Sequence, residues 1–297
     1  MRAIVTGGAG FIGSHVVDAL LERGDDVLVL DNLSTGKRKN VADGATLDVI
    51  DIREPLDDRF EGVEVCFHLA AQADVRVSVD RPDYDAEVNV LGTIRVLEAA
   101  TRHRTQVVFA STGGAIYGEC DEPAPEDAEL RPLAPYGASK LAGEEYIATY
   151  NRLYDARHVA LRYGNVYGPR QDPKGEAGVV AIFLGQLAAG ETSRIFGDGL
   201  QTRDYVYVGD VARATLEAPG REGVFNVGTG LATSVLELYE LCRRVAGSEL
   251  EPEQAEARLG ELQRNVLDAS RAERELGWRP QVGLDEGLRL TFESLRR

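Results

Sequence analysis

Pro135–Lys140 reads PYGASK, which sets a tyrosine and a lysine four residues apart. At the start of a helix such a pair shares one face. A free phenol titrates near pH ~10, so base chemistry near neutrality requires a shift of about three units, roughly 4 kcal/mol. An ammonium beside the ring favours the phenolate and acts in the required direction. Tyr136 and Lys140 are therefore a candidate base and its charge partner. Alone, the pair says little, because a core tyrosine and a solvated lysine are common on amphipathic helices. Upstream, a strand over Gln106–Ala110 runs into Ser111-Thr112-Gly113-Gly114. A hydroxyl at the carboxyl end of a parallel strand sits where such sheets bind ligands. Thr112 in that position can hold the reacting oxygen of a substrate near Tyr136. The plainer alternative is a turn hydroxyl bonded to its own backbone.

A second constellation says what Tyr136 would work beside. Residues 6–13 read TGGAGFIG, directly after a strand and at the opening of a helix. Gly8, Gly10 and Gly13 satisfy GxGxxG, and Gly7, Gly10 and Gly13 satisfy GxxGxxG. Strand, glycine turn and helix in succession are the context that a dinucleotide site requires. Glycine lets the backbone approach a pyrophosphate, and the helix N-terminus supplies free N–H groups and positive dipole. Asp31 ends the second strand, where a carboxylate accepts both hydroxyls of an adenine ribose and repels a 2′-phosphate. NAD is expected over NADP. The plainer alternative for Asp31 is a cap or turn residue in DNLSTGK, with Lys37 and Arg38 as solvated charges.

These residues need a frame. Strands are expected over Arg2–Thr6, Asp26–Leu30, Val63–Leu69 and Gln106–Ala110, with helices over Phe11–Arg23, Asp83–His103 and Ser139–Asp155. Continuous apolar strands alternating with helices imply an α/β fold, a doubly wound parallel sheet of Rossmann type. After Gly168 the pattern loosens into a loop, a helix over Val179–Ala189, short strands near Arg194–Phe196 and Val224–Val227, and helices over Ser234–Ala246 and Leu284–Arg296. The expected division is a dinucleotide-binding domain of residues 1–168 and 207–232. Residues 169–206 and 233–297 form a smaller substrate-binding C-terminal lobe.

Composition narrows the partners. The net charge is −16 over 297 residues, which disfavours nucleic acid and anionic membranes. An anionic ligand would need arginines placed locally. The opening MRAIVTGGAG reads as a strand and turn, so no secretory signal is expected, and no apolar run approaches the roughly 18 residues of a membrane span. Cys66, Cys120 and Cys242 are odd in number and scattered, the pattern of reduced cytoplasmic thiols. His15, His68, His103 and His158 show no metal-ligand spacing, so no metal is expected.

Taken together, TGGAGFIGSH, DNLSTGK, FHLAAQADV, NVLGT, FASTGGAIYG, PYGASK, LRYGNVYGPR, QTRDYVYVGDVA and NVGTG resemble the extended short-chain dehydrogenase/reductase family. Within it the chain is most similar to the NAD-dependent epimerase/dehydratase group and its UDP-glucose 4-epimerases. The resemblance implies NAD contacts at Phe11, Ile12, Asp31, Asn32, Asp51, Ile52, Ala70 and Ala71, besides Gly7, Gly10 and Gly13. It implies a catalytic set of Thr112, Tyr136 and Lys140, with Tyr136 and Lys140 also meeting NAD. It implies nucleotide-sugar contacts at Thr112, Asn165 and Arg203, and a second diphosphate contact at Arg258 with Glu261. Asn265, three residues before Asp268-Ala269-Ser270, is implied to line the sugar pocket and, being small, to admit N-acetylated hexoses. The implied activity is 4-epimerisation of a UDP-hexose through transient oxidation at C4, with a dehydratase or decarboxylase as the alternative. Sugar 4,6-dehydratases carry an Asp-Glu pair directly after the catalytic threonine; Gly113-Gly114 stand there, which favours epimerase. One more residue than is usual in epimerases separates the hydroxyl from Tyr117-Gly118. Counting forward from Phe109 puts the hydroxyl on Thr112. The two long helices resemble the pair that forms a homodimer in the family.

Overall fold

The computed structural model describes residues 1–173, 178–257 and 262–296. Seven strands form one sheet: β1 (Arg2–Thr6), β2 (Asp26–Asp31), β3 (Thr46–Val49), β4 (Val65–His68), β5 (Gln106–Thr112), β6 (Val159–Tyr163) and β7 (Gly223–Val227). Their order is 7-6-5-4-1-2-3, and every neighbouring pair is parallel. The chain moves outward from β1 in one direction and from β4 in the other. The β1–β4 gap is therefore the switch point of a doubly wound sheet, and ligands bind outside the strand ends there.

Helices α1 (Phe11–Glu22), α2 (Gly92–His103), α3 (Pro135–Tyr154), α4 (Val179–Ala189), α5 (Val208–Glu217), α6 (Val235–Ala246) and α7 (Leu284–Ser294) supply the layers. Alternate strand residues face opposite layers. Val5, Val29, Phe67, Val108 and Leu161 pack with Val16, Val17 and Leu20 of α1 and Val211 and Ala214 of α5. Ile4, Leu30, Cys66, Val107, Phe109 and Ala160 pack with Val96, Leu97 and Ala100 of α2 and Ile147 of α3. Each fully buried large apolar side chain contributes about 1.5–3 kcal/mol. Ala272, Leu276 and Trp278, far along the chain, also join the first cluster. A third cluster joins Phe183 and Leu184 of α4, Leu238, Tyr239 and Cys242 of α6, and Leu288 and Phe292 of α7.

The expected elements differ from the observed ones in physically readable ways. β5 runs two residues past Ala110 to include Thr112. α3 begins at Pro135, which suits a first helical position because it has no N–H to leave unpaired. The helix expected over 83–103 is interrupted by a π turn, Glu87–Leu91. The apolar runs of β3 and β6 are short: β3 reads TLDV on the sheet edge, and in β6 the buried Arg162 interrupts VALRY. α5 opens Val-Gly-Asp, which reads as a turn, yet it packs against α1.

Candidate active site

The glycine turn fits a dinucleotide in detail. Gly7 has φ +71, and a Cβ there would lie 2.7 Å from Ala70 N. A Cβ on Gly13 would lie 2.1 Å from Gly7 O, so helix and strand approach as closely as they do only without one. Gly10 is the N-cap of α1 and offers no side-chain cap, leaving the first-turn N–H groups directed at the crevice. Of the two glycine frames, Gly7, Gly10 and Gly13 line a cavity of about 200 Å³. Gly8 instead packs against Val29.

The same cavity is lined by Phe11, Ile12, Asp31, Asn32, Asp51, Ile52, Ala70, Ala71, Tyr136 and Lys140, the whole expected cofactor set. Asp31 accepts from Ala9 N at 2.9 Å and Leu33 N at 2.8 Å. It is thus both a turn residue and a cavity wall, with lone pairs remaining for ribose hydroxyls. Arg53 grips Asp51 through two hydrogen bonds of 2.9 Å, and Asn32 donates to it at 2.8 Å. The Arg53 guanidinium first, then the Arg53 N–H and the Asn32 amide, hold the Asp51 carboxyl far below the usual carboxylate range.

The larger cavity, about 820 Å³, is lined by Thr112, Tyr136, Asn165 and Arg203. Phe11, Ile12, Ala73, Ser111, Tyr136 and Tyr163 border both cavities. Tyr136 therefore stands where the two meet. Lys140, one turn along α3, is 3% exposed, and its ammonium donates to Ala110 O at 2.9 Å. Its Nζ also lies 4.8 Å from the centre of the Phe109 ring. Thr112 ends β5 and makes no side-chain capping bond. Asn165 follows β6, and its Nδ2 is buried with no partner among the described residues. A Cβ on Gly114 would sit 3.4 Å from Asn165 Oδ1 and 3.8 Å from Thr112 Oγ1, so glycine keeps the space between those two groups clear. Arg203 lies on the short strand Thr202–Arg203 with Nη1 on Thr202 O at 2.8 Å.

Asn265 lies on the short strand Arg264–Asn265. It is 1% exposed and does not appear on the wall of the larger cavity. Its Nδ2 donates to Gly113 O and Gly118 O at 3.2 and 3.3 Å, which secures the turn after Thr112, and its Oδ1 is buried with no partner among the described residues. Arg258 and Glu261 lie outside the described residues.

Several groups around the site carried no sequence signal of their own. The Ser111 hydroxyl donates to Glu144, two turns along α3 from Tyr136, and Arg162 grips the same carboxylate at 2.7–3.1 Å. That pair is buried to 4–5% exposure and braces α3 against β6. His68, behind Lys140, is driven down to about pKa 3, first by burial and then by the Lys140 charge. It is neutral, so Lys140 has no cationic neighbour there. Neither α3's glutamate nor β6's arginine could be paired by local periodicity, because 18 residues separate them.

A doubly wound sheet, a glycine cradle at its switch point and a Tyr–Lys pair bridging two cavities define a dinucleotide-dependent enzyme. The chain belongs to the NAD dependent epimerase/dehydratase family, whose model matches residues 3–228. It is 48% identical to the UDP-glucose 4-epimerase of Mycolicibacterium smegmatis, covering 100% of this chain and 99% of that protein. It superposes on the crystal structure of UDP-glucose 4-epimerase with UDP-glucose from Thermotoga maritima with a TM-score of 0.98, at 46% identity over 100% and 99% of the two chains. The Thermus thermophilus UDP-glucose 4-epimerase complex with NAD gives 0.94 at 48% identity, with the same coverage. Among the described residues no helix is long and apolar enough to cross a membrane.

Proposed function

We propose that this protein is an NAD-dependent UDP-hexose 4-epimerase that interconverts the UDP-glucose and UDP-galactose pair, and accepts the N-acetylated pair, by transient oxidation at C4. The observation that carries the reading is the position of Tyr136, one phenol bordering the cofactor cavity and the substrate cavity alike. Bound in the smaller cavity, NAD supplies a hydride acceptor and donor and is regenerated each turnover. Tyr136 takes the proton from the sugar 4-hydroxyl and returns it to the same oxygen after the keto-sugar has turned its other face to the cofactor. Lys140 supports the phenolate, and Thr112 Oγ1 holds the 4-oxygen in line. Asn165 Nδ2 and Arg203 bind the nucleotide diphosphate, supplying the local donors and charge that the acidic surface lacks. No acidic pair follows Thr112, and glycines stand where a dehydratase places its acid and base.

The exposed Leu91, Tyr146, Leu153 and Tyr154 lie on or beside α2 and α3 and support a homodimer through that helix pair. Buried Cys66 and Cys242 support a reduced, cytoplasmic setting. The third apolar cluster supports a substrate lobe of 169–206 and 233–297, with Ser270–Trp278 anchored on the sheet side. The test is Tyr136→Phe, which keeps the ring and deletes the ionisable hydroxyl. Turnover of UDP-galactose should fall by about 10²–10⁴ with nucleotide-sugar binding retained. Near-normal turnover would show that another group carries the proton.

A further inference from the structure

Behind the cofactor wall lies a buried polar ridge that the proposed chemistry does not use. Asp85, Asn89 and Thr93 follow at intervals of four, and each is at most 2% exposed. They run through the helical turn Pro82–Ala86, the π turn and the start of α2. Residues four apart share a face. A single π turn inside a longer helix is uncommon and recurs at functional sites. Here it carries Asn89 in its middle.

Asn89 treats Gln72 as a neighbouring strand would. Its Nδ2 donates to Gln72 O at 2.8 Å, and its Oδ1 accepts from Gln72 N at 2.9 Å. The same Nδ2 donates to Asp85 Oδ1 at 3.0 Å, where Gln72 Nε2 also donates at 2.8 Å. Gln72 lies between Ala71 and Ala73, both on the cofactor-cavity wall. The other Asp85 oxygen accepts from Ser139 Oγ at 2.5 Å. Ser139 directly precedes Lys140 on α3. One fully buried carboxylate therefore holds the cofactor wall with one oxygen and the helix of Tyr136 and Lys140 with the other.

The ridge grips the wall a second time. Thr93 Oγ1 donates to Asn89 O at 2.7 Å, which commits its proton. His68 Nε2, 3.1 Å away, must then donate to Thr93, leaving Nδ1 to accept from Thr6 Oγ1 at 2.7 Å. Thr6 Oγ1 in turn accepts from Ala70 N at 3.2 Å. A buried network in which each member is satisfied favours one geometry over its alternatives.

We propose that Asp85 is a positioning residue that couples the cofactor loop 70–74 to the helix carrying Tyr136 and Lys140, so that seating the loop sets the catalytic pair. The coupling rests on the proposed function for the roles of Tyr136 and Lys140; the grip on the loop does not.

Ser139→Ala cuts only the arm to α3. It should lower kcat about tenfold, with KM for UDP-galactose and NAD affinity within about twofold. The acid limb of the kcat–pH profile should move to higher pH, because a less well seated Lys140 supports the phenolate less. Ser139→Thr keeps the hydroxyl and should restore both. Asn89→Ala weakens the arm to the loop: it removes both bonds to the Gln72 backbone and leaves Gln72 Nε2 on Asp85. It should weaken NAD about tenfold by calorimetry and speed amide exchange at Gln72, two readouts that need no turnover. In the double variant the kcat losses should fall short of the product of the single losses, because both arms meet on one carboxylate. Unchanged kcat and pH profile in Ser139→Ala, unchanged NAD affinity and exchange in Asn89→Ala, or losses that simply multiply would each overturn the coupling. An unmodified protein inactive on UDP-galactose would sink the epimerase reading, whereas NAD affinity and Gln72 exchange would still decide the grip.

Discussion

Gly13→Ala tests the cofactor cradle at its tightest point. The added Cβ would lie 2.1 Å from Gly7 O and 2.9 Å from Gly8 Cα. A carbon–oxygen contact normally settles near about 3.3 Å, so the turn must open by about 1 Å. Both colliding groups are backbone and cannot swing aside as a side chain would. Overpacking of this kind costs about 1–3 kcal/mol. The opened turn also carries its N–H groups away from the pyrophosphate. Closing it again around NAD costs that strain, so Kd should rise by a factor of about 5–150. The assay is calorimetric titration of cofactor-stripped protein with NAD. Gly283→Ala is the control, because nothing lies within 4 Å of a Cβ there. NAD binding by Gly13→Ala as tight as by the control would refute the close-approach argument.

Asp31→Ala should weaken NAD and narrow its preference over NADP, measured by parallel titrations; tighter NADP than NAD binding by the unmodified protein would count against the ribose role. Asn265→Ala should depress turnover of UDP-galactose and UDP-N-acetylgalactosamine alike, because the Gly113 and Gly118 carbonyls lose their donor. A loss confined to the N-acetylated sugar would instead show Asn265 acting as a gate. His68 is held down to about 3 by burial first and Lys140 second, so folding excludes its proton. The unfolded chain binds that proton below pH ~6.5, and native stability should therefore decline as pH falls from there toward 3. Urea midpoints across that window should flatten in His68→Asn; an unaltered slope would show that His68 does not contribute.

What the sequence revealed, it revealed through local spacing. The glycine turn, Asp31 and the Tyr136–Lys140 pair are each defined within one strand–turn–helix or one helical turn, and the fold brings them to the same crevice. What it hid depends on distance along the chain. Glu144 and Arg162 meet across α3 and β6, and Asp85 and Ser139 are 54 residues apart. Those carboxylates read as ordinary helix charges until the packing is known. β6 escaped notice because an arginine buried for a glutamate partner breaks the apolar run.

The central claim is that one site oxidises and re-reduces the same carbon without net use of cofactor. The direct measurement is incubation of the protein with UDP-galactose and bound NAD, with the sugars resolved and NADH absorbance followed together. UDP-glucose should accumulate to equilibrium with no net gain of NADH. A dehydrated or decarboxylated sugar, or NADH formed in step with substrate lost, would contradict it.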